Sequence, residues 1–319
     1  MKQKPLLTIL ENINKEGIQC LEKYFEVRVL LGLNRKEYID ATKSSEVIII
    51  KSVTNVDKEF LKHQTNLKII ARAGTGLDNI DLIQAEKCNI KVLNVPDGNS
   101  VSAAEFTIMQ ILNLIRNQDQ VSQFIQKNDF RRNLLEGREL NNLKVGVIGA
   151  GHVGANVIDR LSVFGCDIFL WEIDSKKRKK FNDSPNVHIS NSLEFLLSQV
   201  DVISLHASLN KSSFQLLNRE SFKNVKRGAY LINSARADLI NQDDLIHALD
   251  EGIIKAAAID VISPEPSYDL PPEDNEYFNP LIKHKRVSYT PHIGASTIDA
   301  QKRISIDLSR QIIKEFFNK

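Results

Sequence analysis

The sequence predicts an α/β protein made of two doubly wound parallel-sheet units. Short runs continuous in Val, Ile and Leu alternate with longer segments of mixed polarity, the pattern of strands separated by crossover helices. Continuous rather than alternating apolarity marks strands covered on both faces, as parallel strands are. At 319 residues the chain is longer than one core usually serves, so two domains are expected.

In chain order, LLTIL, VRVLL, VIIIK, LKIIARAG and IKVLNV read as strands of a first unit. A second series begins at KVGVIGAG and continues through DIFLWEI, VDVISLHA, AYLINSAR and KAAAID. Two long polar-apolar stretches, residues 102–126 and 296–319, read as helices at the domain junctions. The boundaries that follow give residues 1–103 with 291–319 to one domain and residues 104–290 to the other. The segment SPEPSYDLPPEDNEYFNP is Pro-rich and acidic, and reads as a surface loop of the second domain.

With 42% hydrophobic and 26% charged residues the composition is that of a soluble globular protein. A net charge of +2 gives no reason to expect nucleic acid or an anionic membrane as partner. The three cysteines, Cys20, Cys88 and Cys166, are scattered without C-x-x-C spacing. That suits reduced thiols rather than a disulfide framework, and offers no metal site. The opening MKQKPLLTILENI has too short an apolar run for a signal peptide, and no stretch approaches the ~20 apolar residues of a membrane span. A cytoplasmic protein is expected.

The strongest local signal is Gly149-Ala150-Gly151-His152-Val153-Gly154, directly after the apolar run KVGVI. In a dinucleotide-binding turn the first glycine allows the tight strand-to-helix reversal. The second lets backbone approach a pyrophosphate, and the third lets helix pack on strand. The helix N-terminus then presents N–H groups to the phosphates. The next strand ends in Glu172, roughly 20 residues on, where an acid accepts hydrogen bonds from the adenosine ribose. A carboxylate there repels a 2′-phosphate, so NAD is favoured over NADP. The bases Lys176, Lys177, Arg178, Lys179 and Lys180 follow closely; they read either as a solvated helix face or as groups within reach of a 2′-phosphate.

Hydride chemistry at a hydroxyl-bearing carbon needs a base for the hydroxyl proton, a cation for a neighbouring carboxylate, and a group that supports the base. Histidine, arginine and a carboxylate suit those tasks in turn. Arg236 ends AYLINSAR, Glu265 follows KAAAIDVISPEP, and His292 sits in SYTPHIGAST. Each follows a successive apolar run, where ligands bind in this architecture. From spacing alone each has another reading: a helix-capping ion pair, one acid of an acidic loop, a hydrogen-bonded histidine.

Taken together, RAGTGLDNIDL, NVPDGNSVSAAEFTI, KVGVIGAGHVGA, NSAR, AIDVISPEP and TPHIGAST resemble the D-isomer-specific 2-hydroxyacid dehydrogenase family, most of all its 3-phosphoglycerate dehydrogenase branch. The resemblance implies a Rossmann NAD-binding domain inserted in a flavodoxin-like substrate domain. It implies that Arg236 binds the substrate's carboxylate and carbonyl oxygen, that Glu265 supports His292, and that His292 is the general acid/base. Asp260 would hold the nicotinamide carboxamide; Ser102, His206 and Ala235 would join the glycine turn and Glu172 at the cofactor. Residues 72–78 correspond to the substrate loop, with Thr75, Gly76 and Leu77 offering N–H groups. For a substrate phosphate it nominates Lys51 and Arg72, with Arg132 reaching across the interface of a homodimer.

Several positions depart from the family pattern. Lys51 replaces a usual arginine, exchanging a bidentate fork for a point charge. Ala237-Asp238 replaces Gly-Gly beside Arg236, and His206-Ala207-Ser208-Leu209-Asn210 replaces His-x-Pro-Leu-Thr. The chain ends at Lys319, where many phosphoglycerate dehydrogenases add a serine-sensing domain, so no feedback by serine is expected. The function implied is NAD-dependent oxidation of D-3-phosphoglycerate to 3-phosphohydroxypyruvate, of the serine-biosynthesis type. The alternatives are a reductase of glyoxylate, hydroxypyruvate or another 2-keto acid, and an NAD-sensing corepressor-like binding protein.

Overall fold

A computed structural model describes residues 4–267 and 271–318. The chain forms two compact units, residues 1–100 with 296–319 and residues 101–295.

Unit 1 holds a five-stranded parallel sheet: β1 (Leu6–Ile9), β2 (Glu26–Val29), β3 (Val47–Ile50), β4 (Ile69–Arg72) and β5 (Lys91–Leu93), in the order β2-β1-β3-β4-β5. Alternate residues of the strands feed two cores. Leu7, Val47, Ile49 and Ile69 pack with Ile304, Leu308 and Ile312 of the last helix. Ile48, Ile50 and Ile70 face Phe60 and Leu61 on the other side. Asn14, Asn34, Asp57 and Asp81 each start a helix by accepting a backbone N–H. The last helix, Ile298–Phe317, crosses helix Lys15–Glu22 so closely that a Cβ on Gly17 would lie 2.8 Å from the Ser305 Cβ. Ser305 Oγ accepts the Asn14 N–H at 2.8 Å, and Ser309 Oγ donates to the Gly17 carbonyl at 3.0 Å.

Unit 2 holds seven parallel strands: β6 (Lys144–Ile148), β7 (Asp167–Trp171), β8 (Val187–Ile189), β9 (Val202–Leu205), β10 (Ala229–Asn233), β11 (Ile254–Ile259) and β12 (Val287–Tyr289). Their order is β12-β11-β10-β9-β6-β7-β8, so the sheet winds outward in both directions from the β6/β9 boundary. One face packs helices Ser100–Ile115 and His152–Ser162 through Ile111, Ile115, Val157, Ile158 and Leu161. The other packs Leu193–Gln199 and Gln242–Asp250 through Leu196, Leu197, Leu245 and Leu249.

Both sheets have the doubly wound parallel architecture read from the sequence. Strands β8 and β12 did not stand out there because each is short, lies at a sheet edge and interrupts its apolar residues with His188 or Ser288. The single helix expected over residues 102–126 is two, Ser100–Ile115 and Gln118–Gln126. Asn117 breaks it with φ 54° while its side chain donates to the Glu136 carbonyl at 2.9 Å. Asparagine is the residue that most readily takes this conformation after glycine, and the second helix buries no side chain that would hold it in line. Of the Pro-rich segment, Pro272–Asp274 and Pro280–Lys283 form single helical turns, and residues 268–270 lie outside the described residues.

Candidate functional site

Along the carboxyl edge of the unit 2 sheet, successive strand ends carry the predicted residues in a row. His292 follows β12, Asp260 and Glu265 follow β11, and Arg236 follows β10. His206, the glycine turn and Glu172 follow β9, β6 and β7.

The glycine turn opens at the β6/β9 boundary, where the strand order reverses. Gly149 has φ +97°, and a Cβ there would lie 2.8 Å from the His206 carbonyl and the Ala207 nitrogen. A Cβ on Gly154 would fall 2.0 Å from the Gly149 carbonyl oxygen, so only hydrogen permits this contact of helix and strand. At Gly151 a Cβ would meet nothing within 4 Å. Helix His152–Ser162 starts there with no side chain capping its first N–H groups, which include those of His152 and Val153. Buried Glu172 accepts the Ala150 N–H at 2.7 Å on one oxygen and the Asp174 N–H at 2.9 Å on the other. Each oxygen keeps a further lone pair. His206 meets Ser204 Oγ through Nε2 at 2.7 Å, and burial pushes its imidazole down to about 4. Ser102 is buried on the first turn of helix Ser100–Ile115. The bases Lys176, Lys177, Arg178 and Lys179 lie on a short helix, Ser175–Lys179, that buries none of its residues.

At the other end of the row, His292 Nδ1 lies 2.8 Å from Glu265 Oε1. His292 holds φ +53°, a left-handed conformation uncommon for any residue but glycine. The segment around it is tied to one residue. The carbonyl of Asp260 accepts the His292 N–H at 2.9 Å. The Asp260 carboxylate accepts the Thr290 hydroxyl at 2.6 Å, the Ile293 N–H at 2.9 Å and the Gly294 N–H at 2.8 Å. Burial holds the Asp260 carboxyl above its usual range, against the opposing pull of those donors. Arg236 follows β10 in a turn fixed by buried Asn233, whose side chain accepts the Ala235 N–H at 3.1 Å and donates to the Arg236 carbonyl at 2.9 Å. Arg132 lies exposed on a single turn, Arg132–Leu134.

Unit 1 gathers its own predicted residues at the carboxyl ends of β3 and β4. Lys51 Nζ donates to Gln301 Oε1 at 2.9 Å; burial lowers its pKa, Glu11 raises it, and Arg72 adds to the lowering. Arg72 Nε donates to the Lys51 carbonyl at 3.2 Å. Its guanidinium occupies the space above Gly74, where a Cβ would lie 1.9 Å from Nη1. Thr75 donates to Asn99 Oδ1 at 2.7 Å, its carbonyl accepts from Asn94 at 2.6 Å, and Gly76 and Leu77 follow, half-buried. Sequence reasoning missed Glu11, Asn79, Asn233, Thr290 and Gln301. Asn79, Asn233 and Thr290 stand inside RAGTGLDNIDL, NSAR and TPHIGAST, but Glu11 and Gln301 stand in no motif, and all except Asn233 act through contacts 25 to 250 positions away in the chain.

Residues 108–294, more than half of the chain, match the family described as "D-isomer specific 2-hydroxyacid dehydrogenase, NAD binding domain". The chain belongs to the D-isomer-specific 2-hydroxyacid dehydrogenase family. A D-3-phosphoglycerate dehydrogenase of Methanocaldococcus jannaschii is 34% identical over 97% of this chain and 57% of its own length. The chain thus spans little more than half of that relative. A hydroxypyruvate reductase of Thermotoga maritima is also 34% identical, over 95% of both chains. Among solved structures, the D-lactate dehydrogenase of Aquifex aeolicus complexed with NAD and lactic acid aligns over 98% of this chain and 96% of its own. Its TM-score is 0.85 and its identity 25%.

The residues of unit 2 fit the NAD of this dehydrogenase family. The uncapped helix start, the open space at Gly151 and the close packing that Gly154 permits are what a pyrophosphate requires. No helix among the described residues is long and apolar enough to cross a membrane.

Proposed function

We propose that the protein is a NAD-dependent D-2-hydroxyacid dehydrogenase in which His292 takes and gives the proton of the substrate hydroxyl. The observation that carries this reading is the His292–Glu265 pair at 2.8 Å on a left-handed turn pinned to Asp260. A carboxylate can only accept, so Nδ1 carries the hydrogen and Nε2 is the nitrogen left to exchange a proton. Glu265 keeps the ring oriented and offsets the charge that develops on it. Arg236 offers a planar fork matched to a carboxylate, and it polarises the adjacent carbonyl in the reducing direction. In unit 1, the N–H groups of Thr75, Gly76 and Leu77 are the candidate backbone donors for substrate.

When bound, NAD accepts hydride from the substrate's second carbon or returns it. The residues that would hold it are Gly149, Gly151, His152, Val153 and Gly154 at the pyrophosphate and Glu172 at the ribose. Asp260 would serve the carboxamide, and Ser102, His206 and Ala235 the rim. We assign the chain to the cytoplasm, as a homodimer.

For the substrate we favour D-3-phosphoglycerate, supported by the named relatives and by Lys51 and Arg72, two cations on neighbouring strand ends; Arg132 is the third candidate base. A second reading, hydroxypyruvate or glyoxylate reduction, is favoured by the Thermotoga relative, which matches along 95% of its own length. Steady-state assays with NADH against 3-phosphohydroxypyruvate, hydroxypyruvate, glyoxylate and pyruvate separate the two. In whichever assay responds, His292→Ala lowers kcat by about 10²–10⁴-fold and leaves NADH affinity intact. Near-normal turnover in that variant removes His292 from the mechanism.

A further inference from the structure

Unit 1 reverses its strand order between β1 and β3, and ligand crevices of doubly wound sheets open at such a boundary. Glu11 follows β1 there, partly buried. Its carboxylate accepts four consecutive backbone N–H groups of the segment that follows β3. Lys51 at 2.8 Å and Thr54 at 2.9 Å bind Oε1; Ser52 and Val53, both at 3.1 Å, bind Oε2. Successive N–H groups turned to one point form an anion-binding nest, and here a side chain of the protein itself fills it.

The carbonyls of the same segment are held from the other side. Asn79 Nδ2 donates to the Lys51 and Thr54 carbonyls at 3.0 and 2.6 Å, and Arg72 Nε reaches the Lys51 carbonyl at 3.2 Å. The backbone of residues 51–54 therefore has few conformations open to it, although Val53 at its tip is 72% exposed. What this rigid segment carries at its start is Lys51, with its ammonium beside Gln301.

We propose that Glu11 is a positioning residue: by filling the nest it fixes residues 51–54 and so presents Lys51, with Arg72 beside it, to the anionic end of the substrate. This rests on unit 1 binding substrate as proposed above. Since the nest's own N–H groups are taken by Glu11, this segment meets the substrate through the Lys51 side chain rather than through its backbone. Glu11 touches no reacting atom, and its loss acts on substrate capture rather than on the chemical step.

The test compares wild type with Glu11→Gln, which turns one acceptor oxygen into a donor facing N–H groups, and with Glu11→Asp, which keeps the charge on a shorter stem. Amide exchange of residues 51–54 and steady-state kinetics with NADH and the responding 2-keto acid are read together. Glu11→Gln is expected to speed exchange at those amides and raise KM by about tenfold or more, with kcat within about twofold and NADH affinity unchanged. Glu11→Asp gives the same pattern at smaller size, and decides the matter if Glu11→Gln does not fold. Unchanged exchange overturns the clamp. Faster exchange with unmoved KM overturns the role in substrate capture, and so does an equal fall in kcat that tracks a lower melting temperature. Should wild type turn over none of the keto acids, the functional reading falls and the substrate role with it, while exchange still decides whether Glu11 holds the segment.

Discussion

A histidine at φ +53° costs of order 1–3 kcal/mol and persists only where its surroundings over-determine it. Here the surroundings are one aspartate. Asp260 binds the N–H groups of His292, Ile293 and Gly294 and the hydroxyl of Thr290, so the turn is tied both at the histidine and just past it. Gly294 leaves room for this: a Cβ there would lie 3.0 Å from Asp260 Oδ2 and 3.2 Å from the Phe106 ring. Asp260→Asn keeps the main-chain tie to His292 and one side-chain acceptor oxygen, but its NH2 must then face either the Gly294 N–H or the Ile293 N–H, donor against donor. It should lower kcat about 10²-fold, the scale of an ångström-sized misplacement of a reacting group, and speed amide exchange at Ile293 and Gly294. A variant with full turnover would mean that the turn keeps its shape without the carboxylate.

Among elements, the start of β6 and the start of β9 are joined through Asp201, which accepts the Lys144 N–H at 3.0 Å and Lys226 Nζ at 2.9 Å, with Arg138 at 3.5 Å. Burial works against its charge, but these donors outweigh it and hold the carboxyl below its usual range. A depressed folded-state pKa contributes stability that is present above the unfolded value of about 3.9 and lost as pH falls through the folded one. Asp201→Asn should therefore cost about 1–3 kcal/mol in denaturant unfolding at pH 7, with the gap to wild type closing below about pH 4. A gap independent of pH would assign the effect to shape rather than charge.

Legibility in the sequence also divides by element. β3, four aliphatic residues, and β6, five residues ahead of a glycine turn, are visible because burial on both faces writes itself into composition. β12 is not, since Val-Ser-Tyr is only partly buried at the sheet edge and carries little apolar signal. The same division holds for the site. Arg236, Glu265 and His292 stand at recognisable places after strands. The service of Asp260 to the turn and of Glu11 to residues 51–54 depends on hydrogen bonds whose partners lie 30–34 and 40–43 positions away in the chain. Such contacts follow from topology, and no local pattern announces them.

For the molecule as a whole, each unit has its own sheet and its own two-sided core, and the residues that fit NAD all lie in unit 2. Ligand that binds only the folded state stabilises it by RT ln(1 + [L]/Kd), about 2.7 kcal/mol at a hundredfold excess over Kd. NADH at that excess should raise the thermal transition that reports unit 2, followed through the single tryptophan, Trp171 at the end of β7. A transition insensitive to NADH would refute binding there.

The last helix also sets an order of events during synthesis. Unit 1 draws its closing helix, Ile298–Phe317, from beyond the whole of unit 2, and until it arrives Leu7, Val47 and Ile49 have only part of their cover on that face, from Ile13, Leu21 and Phe25. At roughly 5–20 residues per second, a ribosome that has finished the first five strands needs about 10–40 s more to deliver the missing cover. During that interval unit 2 can complete its core while the older unit waits half-clothed, so the part of the protein made first is the part that matures last.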